Sequence, residues 1–230
     1  MGFYSDYIVP RCIDFALSRP PILELRERVT HGLKGNVLEI GFGSGLNLAY
    51  YPAEVTQVLA LDPARFAQKL AKNRIADCSI PVRWVDLPPS GRLPLPDACV
   101  DAVLSTFTMC TIPELDSALQ ELHRVLKPCG KLHFVEHGRS PEPQIARWQD
   151  RLTPLQRRVA GGCHLNRPIA DSLRDSGFCL DALQTFYLRG PKFATHIYEG
   201  VACACRKQAT DGHDVQSAET AAIDGTNSCA

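Results

Sequence analysis

The sequence predicts an α/β protein with a doubly wound, Rossmann-like and mostly parallel seven-stranded sheet that ends in an antiparallel hairpin. Short apolar runs alternate with segments of helical periodicity from residue 37 to residue 136, which is typical of a parallel sheet. A glycine-rich turn, Gly41-Phe-Gly43-Ser-Gly45, follows the first of these runs. The last two apolar runs are separated by only a short loop, which favours a hairpin.

Five strands are expected in the first 136 residues, at Val37–Ile40, Val55–Asp62, Val82–Asp86, Cys99–Thr106 and Leu132–Glu136. The second run is apolar almost throughout, as is typical of a strand buried on both faces of a parallel sheet. Four prolines between residues 87 and 96 indicate a loop between the third and fourth strands.

Apolar spacing and end signals predict the helices around these strands. Asp62 is expected to cap one helix, with Pro63 at its first position. Lys127–Gly130 is expected to end another, whose apolar residues recur at helical spacing at Leu115, Leu119, Leu122 and Leu126. Shorter helices are expected at Phe3–Leu17, Ile22–Thr30 and Leu46–Tyr51.

The carboxyl-terminal part of the domain follows a different pattern. A helix is expected at Pro141–Ala160, and a second at Arg167–Ser176, where Asn166 would be the cap and Gly177 the stop. The final strands are expected at Leu180–Tyr187 and Ala194–Cys205, joined by the loop Leu188–Phe193. One domain is therefore expected over residues 1–205.

Composition limits the classes of function. The 230 residues are 45% hydrophobic and carry a formal net charge of zero, so a sizeable core is expected and no nucleic-acid partner is indicated. No signal peptide is expected, and no apolar run approaches the ~18 residues of a bilayer span. A cytoplasmic protein is therefore predicted. Residues 206–230 are small and polar, which predicts a disordered tail.

Ten cysteines are spread along the chain without a C-x-x-C pair. Several lie in apolar runs (Cys99, Cys179 and Cys203), where free thiols pack as small hydrophobic groups. Reduced thiols and no metal site are expected. Zinc binding by Cys203 and Cys205 is a weaker alternative, because no second ligand pair lies nearby.

The glycine turn is the strongest indication of function. Alternating glycines let the backbone turn sharply and lie close to a ligand, because no Cβ intervenes. Such a ligand would lie at the carboxyl end of a strand and at a helix amino terminus. The spacing G-x-G-x-G differs from the G-x-G-x-x-G of dinucleotide sites, which argues against a nicotinamide-dependent oxidoreductase. A tight turn without a ligand remains the structural alternative.

Together with Glu39, this turn resembles motif I of the class I S-adenosylmethionine (SAM) dependent methyltransferases. The resemblance implies that SAM is the cofactor and that the glycines line its methionine end. Glu39 would accept a hydrogen bond from the ammonium group, directly or through water. Asn47, just past the glycines, is included in this binding segment.

Asp62 is the second expected contact with SAM. It stands at the end of the second strand, where a carboxylate accepts hydrogen bonds from both ribose hydroxyls. Capping of the following helix is the structural alternative, and both roles are compatible. Pro63 would pack near the adenine. Further expected contacts follow the third and fourth strands, at Asp86, Leu87, Ser105 and Thr106.

Other segments narrow the resemblance. Two segments resemble the ubiquinone-biosynthesis-like methyltransferases. They are Leu93–Asp97 with Val100-Asp101, and Leu122–Gly130. Three further segments resemble the animal thiol S-methyltransferases and their bacterial relatives: Glu136-His137, Gly162–Arg167 and His196–Tyr198. This resemblance covers roughly residues 1–205 and implies a small thiol or hydrogen sulfide as the methyl acceptor.

A base assists if the acceptor thiol arrives protonated. The candidates are His137, then His164 and His196, followed by Cys163. Each has a structural alternative, as a packed cysteine or a histidine satisfied in the core. Tyr4 and Tyr7 could form a lid over SAM, or their helix could simply pack on the sheet.

Three alternatives remain open at the level of the sequence. A methyltransferase could act on a quinone precursor, a phospholipid amine or another small molecule. A non-catalytic SAM-binding module would keep the same cofactor site. The segment around Trp148, which is rich in arginine, could make a peripheral membrane contact or be an ordinary solvated face. The oligomeric state is not predicted.

Overall fold

Seven strands form one sheet in the computed structural model, which describes residues 9–204. They are β1 (Gly35–Ile40), β2 (Val55–Leu61), β3 (Val82–Val85), β4 (Val100–Thr106), β5 (Leu126–His137), β6 (Phe178–Tyr187) and β7 (His196–Ala204). Their spatial order is β3-β2-β1-β4-β5-β7-β6. Strands β1 to β5 are parallel, and β7 runs antiparallel to both β5 and β6. The predicted α/β sheet with a terminal hairpin is confirmed.

Seven α-helices accompany the sheet within residues 9–204: α1 (Val9–Leu17), α2 (Pro20–Thr30), α3 (Arg65–Ala76), α4 (Leu115–Val125), α5 (Pro143–Val159), α6 (Ile169–Asp175) and α7 (Lys192–Thr195). A 3-10 helix spans Leu46–Tyr50. None of the helices in this described part is both long enough and apolar enough to cross a bilayer.

The centre of the sheet is fully buried because helices cover both of its faces. Val37, Leu38, Val58, Val103 and Leu104 have no exposed surface, which explains why their strands read as continuous apolar runs. The chain runs outward from β1 to β3 and then returns to place β4 on the other side of β1. A crevice at the carboxyl ends of β1 and β4 is where doubly wound sheets bind ligands.

The start of α3 differs from the prediction. Asp62 does not cap this helix and Pro63 is not its first residue, because α3 begins at Arg65 with Ala64 as the N-cap. The Asp62 carboxylate instead accepts hydrogen bonds from the backbone N–H groups of Gly43 and Ala64. Asp62 therefore ties the end of β2 to the glycine turn.

Three boundaries after residue 125 also differ from the prediction. Asn166 does not cap α6, whose N-cap is Pro168, because the Asn166 amide donates to Asp150 at 2.8 Å. Lys127–Gly130 lies within β5, since Leu126 is already extended and pairs with Val100. The short helix α7 begins within the predicted hairpin loop and extends to Thr195, so β7 begins at His196, two residues later than predicted.

The cysteines are reduced at most described positions but not at all of them. Cys179 is disulfide-bonded, so the expectation of a reduced thiol is wrong there. Cys179 lies near the start of the edge strand β6, beside the last residues of β7, a neighbourhood that spacing along the chain does not reveal. Free thiols are found at Cys78, Cys99, Cys110, Cys129 and Cys163.

Some expectations concern residues outside the described range. These are the lid formed by Tyr4 and Tyr7, the disordered tail at 206–230, and the part of Cys205 in a zinc site. Within residues 9–204, no three His, Cys, Asp or Glu side chains are arranged to hold a metal ion.

Candidate active site

The glycine turn, residues 41–45, leaves bare backbone at the crevice. All three glycines have positive φ angles, 66° at Gly41, 57° at Gly43 and 78° at Gly45, which side chains disfavour. A Cβ at Gly41 would overlap the Thr108 side chain, so this glycine is needed for close packing. A Cβ at Gly43 would meet nothing nearer than a backbone oxygen at 3.7 Å. The backbone at Gly43 is therefore open to a ligand.

Asp62 fixes the position of this turn. Its two carboxylate oxygens accept from the N–H groups of Gly43 and Ala64, each at 2.8 Å. Burial raises the pKa of Asp62, and these two hydrogen bonds oppose that rise. Each oxygen of an ionised carboxylate has a second lone pair, so both can accept a further hydrogen bond.

A buried polar network lies beneath the turn and joins three expected residues. Asn47 donates to Glu39 at 2.7 Å and to Thr106 at 3.0 Å. The Tyr51 hydroxyl donates to the other Glu39 oxygen at 2.6 Å. Burial raises the pKa of Glu39 to about 7, against the opposing effects of these donors and of Arg26. Glu39, Asn47 and Thr106 thus form one hydrogen-bonded unit.

Arg26 completes the network and was missed from the sequence. It projects from α2 and donates to Asn47 at 2.7 Å and to Thr106 at 3.0 Å. The side chain is only 3% exposed, and burial lowers its pKa. Its Nε–H has no hydrogen-bond partner among residues 9–204. The available signal was an arginine at helical spacing on the buried face of α2, beside Leu25 and Val29.

Helix α1 contacts the glycine turn from above. The Ser44 hydroxyl donates to the Asp14 carboxylate, and Arg74 of α3 donates to the Ser44 carbonyl at 2.9 Å. Arg74 also pairs with Asp14 at 3.4 Å. These contacts link α1, the turn and α3, so the amino-terminal segment forms part of the site's wall.

Ser105 holds the Glu136 side chain at the end of β5. Its hydroxyl donates to Glu136 Oε1 at 2.6 Å, and the Thr108 N–H donates to the same oxygen at 3.0 Å. The chain turns at Phe107, whose φ of 55° is unusual for a side chain of this size. Burial raises the pKa of Glu136 to about 7.

Two expected histidines meet two cysteines beside Glu136. His137 Nδ1 lies 3.9 Å from Cys163 Sγ, and Cys163 Sγ lies 3.6 Å from Cys110 Sγ. His164 Nδ1 lies 3.2 Å from the Cys110 carbonyl oxygen. The buried Nε2 atom of His137 has no hydrogen-bond partner in the described part of the chain. We call Cys110, His137, Cys163 and His164 the thiol–histidine cluster.

His196 lies apart from this cluster in β7. Its ring packs against the rings of Tyr187 and Tyr198, with centroids 5.0 Å away in each case. Burial lowers the pKa of His196. The two tyrosine hydroxyls are hydrogen-bonded to Ser140 and to the Arg139 carbonyl, both at 2.6 Å. The structure therefore places His196 in an aromatic stack.

Pro63, Asp86 and Leu87 are exposed at the same end of the sheet. Asp86 and Trp84 line a groove of about 680 Å³ together with residues of α3. No residue of the glycine turn lines this groove. The structure thus places Asp86 just after the carboxyl end of β3, in a groove whose lining does not include the turn.

Comparison with known proteins agrees with this geometry. Residues 38–134 match the model of a methyltransferase domain family. The chain is 33% identical to the human thiol S-methyltransferase TMT1B over 155 residues, covering 64% of this chain and 62% of that protein. It is 29% identical to a phosphatidylethanolamine N-methyltransferase of Cereibacter sphaeroides over 104 residues, covering 45% and 51% of the two chains.

Solved structures share the fold. A SAM-dependent methyltransferase from Thermotoga maritima superposes with a TM-score of 0.61 at 20% identity, covering 86% of this chain and 96% of that one. Residues 38–134 thus match a methyltransferase domain family, and the chain shares the fold of solved SAM-dependent methyltransferases. It spans about 54–62% of the length of the TMT1B proteins of rat and human that it matches.

Proposed function

We propose that this chain is a SAM-dependent methyltransferase that transfers the methyl group to the sulfur of a small thiol or of hydrogen sulfide. The observation that carries the proposal is the pairing of an open glycine turn, fixed by Asp62, with the thiol–histidine cluster at the carboxyl end of β5. The likeness to thiol S-methyltransferases supports the choice of acceptor.

The residues around the turn fit SAM. The uncovered backbone at Gly43 admits the methionine portion, and the free lone pairs of Asp62 suit the two ribose hydroxyls. The unpartnered Nε–H of Arg26 belongs to a positively charged guanidinium group, which suits a hydrogen bond to the carboxylate of SAM. Glu39 and Asn47 hold Arg26 in place, while Pro63, Asp86 and Leu87 are assigned to the adenine side. SAM supplies a methyl group activated by a positively charged sulfur.

His137 is proposed as the base that prepares the acceptor. Its Nε2 atom is buried without a partner among residues 9–204, and its Nδ1 atom faces Cys163. A neutral imidazole in this position accepts the thiol proton and leaves a thiolate, which is the nucleophilic form of sulfur. His164 lies beside Cys110 in the same cluster, and His196 is assigned to packing.

Positioning accounts for the remainder of the expected rate. Methyl transfer to a thiolate needs an in-line approach, so holding the acceptor beside the turn removes most of the entropic barrier. Glu136 contributes by fixing the turn at residues 106–110, which carries Cys110. The main demand on the protein is a fixed geometry.

A lipid-soluble acceptor is the second candidate. Trp148, Leu155 and Val159 are 53%, 59% and 47% exposed along α5, beside Arg151, whose guanidinium lies 5.6 Å from the Trp148 ring centre. An apolar stripe flanked by arginines suits a helix that lies on an anionic lipid surface. A phospholipid amine or a quinone precursor would reach the site from such a surface.

A competition assay separates these candidates. The protein is incubated with SAM carrying a deuterated methyl group and an equimolar mixture of methanethiol, phosphatidylethanolamine vesicles and a short-chain quinol. Mass spectrometry then locates the label. Label on sulfur supports the proposal, whereas label on nitrogen or carbon with none on sulfur contradicts it. SAM binding without any labelled product would indicate a non-catalytic module.

A further inference from the structure

The thiol–histidine cluster contains a pair of thiols that methyl transfer does not require. Cys163 Sγ and Cys110 Sγ lie 3.6 Å apart, although the two residues are 53 positions apart in the chain. Cys163 is half-buried and Cys110 is buried, and both thiols are free. A disulfide bond is about 2.05 Å long, so modest side-chain motion would bring these sulfurs to bonding distance.

The surroundings make Cys163 the more reactive of the two. Cys110 and the nearby ring of His137 lower the pKa of the Cys163 thiol, while burial opposes this effect. The Cys163 sulfur and burial raise the pKa of Cys110. Cys163 thus provides a thiolate at neutral pH, and Cys110 provides a protonated thiol beside it, the arrangement of an attacking and a resolving cysteine.

We propose that Cys163 and Cys110 form a thiol–disulfide exchange site for low-molecular-weight disulfides, and that their mutual oxidation blocks the proposed acceptor position beside His137. The Cys163 thiolate attacks one sulfur of a disulfide RSSR, forming a Cys163–SR bond and releasing RS⁻. Cys110 then gives its proton to the released RS⁻ and attacks Cys163. This step forms the Cys110–Cys163 bond and expels the second RS⁻.

The two exchange steps balance in atoms and electrons. One small disulfide is reduced to one thiol and one thiolate, and the two cysteines are oxidised to a disulfide, with no other reactant. The regulatory consequence rests on the proposed function, because the bridge would lie beside His137, where the acceptor thiol is held. The oxidised form of a thiol substrate would then inactivate its own methyltransferase until a small thiol reduced the bridge.

The exposed thiol of Cys129 provides an internal control. If accessibility alone decided reactivity, Cys129 would react with a disulfide before the less exposed pair. The whole chain is treated with 2-hydroxyethyl disulfide at pH 6 and quenched with acid at intervals. Peptide mass spectrometry then measures the state of each cysteine. Thiolate chemistry predicts that the Cys110–Cys163 disulfide forms at least about tenfold faster than the Cys129 adduct.

Two variants test the order of the steps. Cys110→Ser should stop the reaction at a stable Cys163–S–R adduct, and Cys163→Ser should leave Cys110 unmodified. Cys129→Ser should leave the rate of formation of the pair unchanged. Modification of Cys129 ahead of the pair, or an unreacted pair in the wild-type chain, would overturn the proposal even if a variant fails to fold.

The mass measurement does not depend on methyl transfer, so the two proposals can fail separately. Formation of the bridge in a chain that methylates no thiol would support the exchange site and remove the proposed acceptor. When both proposals hold, oxidation abolishes thiol methylation and dithiothreitol restores it. An oxidised pair with full methylation activity would overturn the proposed block of the acceptor position.

Discussion

The carboxylate of Asp62 accepts a hydrogen bond from the backbone N–H of Gly43 at 2.8 Å, so the end of β2 holds the glycine turn that follows β1. This bond sets the spacing between the bare backbone of the turn and the carboxylate beside it. The proposed contacts with the two ends of SAM are therefore coupled through one short side chain.

Replacing Asp62 should weaken SAM binding. Asp62→Ala removes the proposed acceptor for two ribose hydroxyls and releases the turn, and each hydrogen bond to a charged group contributes about 1.5–3 kcal/mol. We expect the dissociation constant of SAM to rise by about a hundredfold, as measured by isothermal titration calorimetry. Asp171→Ala, which removes an exposed ion pair on α6, is the matched control and should leave the affinity unchanged. Equal affinity of Asp62→Ala and the wild type would remove Asp62 from the site.

Arg26 should be critical for stability as well as for cofactor binding. Arg26→Met removes the buried donor to the Asn47 carbonyl oxygen and one of the two donors to Thr106, and it leaves Glu39 without its nearby positive charge. We expect a loss of roughly 3 kcal/mol in the free energy of unfolding, measured by urea denaturation. Arg174→Met, at an exposed position, should change it by less than about 0.5 kcal/mol. Similar losses in both variants would show that the buried network contributes little.

The titration of Glu39 should give stability a distinct pH dependence. Burial raises its pKa from 4.5 to about 7 in the folded chain. The folded state therefore binds the proton more tightly than the unfolded state, and this contribution is full below pH 4.5 and lost as the pH rises through 7. The loss is about 3 kcal/mol, because each tenfold difference in proton affinity corresponds to about 1.36 kcal/mol.

Glu39→Gln removes this titration. The difference in free energy of unfolding between the wild type and the variant, measured without SAM, should shift by that amount between pH 4.5 and 8. Glu142→Gln is the control, because Lys192 lowers the pKa of that exposed carboxyl and its contribution is not lost over the same range. Parallel pH profiles of the wild type and Glu39→Gln would contradict the assignment.

His137 should affect turnover more than SAM affinity. His137→Asn removes the proposed base, and general-base catalysis commonly contributes 10²–10⁴-fold. We expect kcat for an alkyl thiol to fall by about a hundredfold, with SAM affinity nearly unchanged. The loss should shrink for an aryl thiol, which arrives already ionised. An exposed histidine, His31, provides the control variant His31→Asn. An equal loss for both kinds of thiol would assign His137 a structural role instead.

The sequence predicted the sheet and the glycine turn because both depend on local patterns. Apolar runs such as Val55–Leu61 and glycines with positive φ are visible in a single chain. Predictions of helix ends were less accurate where a side chain forms hydrogen bonds with another part of the fold. Asp62 read as a helix cap, but its carboxylate is shared between the turn and the backbone of Ala64.

Contacts between distant segments could not be predicted in the same way. Arg26 reaches Thr106 across 80 residues, and Cys110 meets Cys163 across 53. No spacing rule joins such pairs, because the sheet order brings them together. Ser105 is a related case, since its strand was predicted but its bond to Glu136 depends on the pairing of β4 with β5.

The most direct test of the central claim is the transfer of a methyl group from SAM to methanethiol, followed by gas chromatography of dimethyl sulfide. The wild-type chain with reduced thiols should form dimethyl sulfide in step with S-adenosylhomocysteine, and Asp62→Ala should lose most of this product at low SAM concentration. If the chain retains SAM in equilibrium dialysis but forms no dimethyl sulfide, and hydrogen sulfide likewise gives no methanethiol, the proposed thiol methyltransferase activity is contradicted.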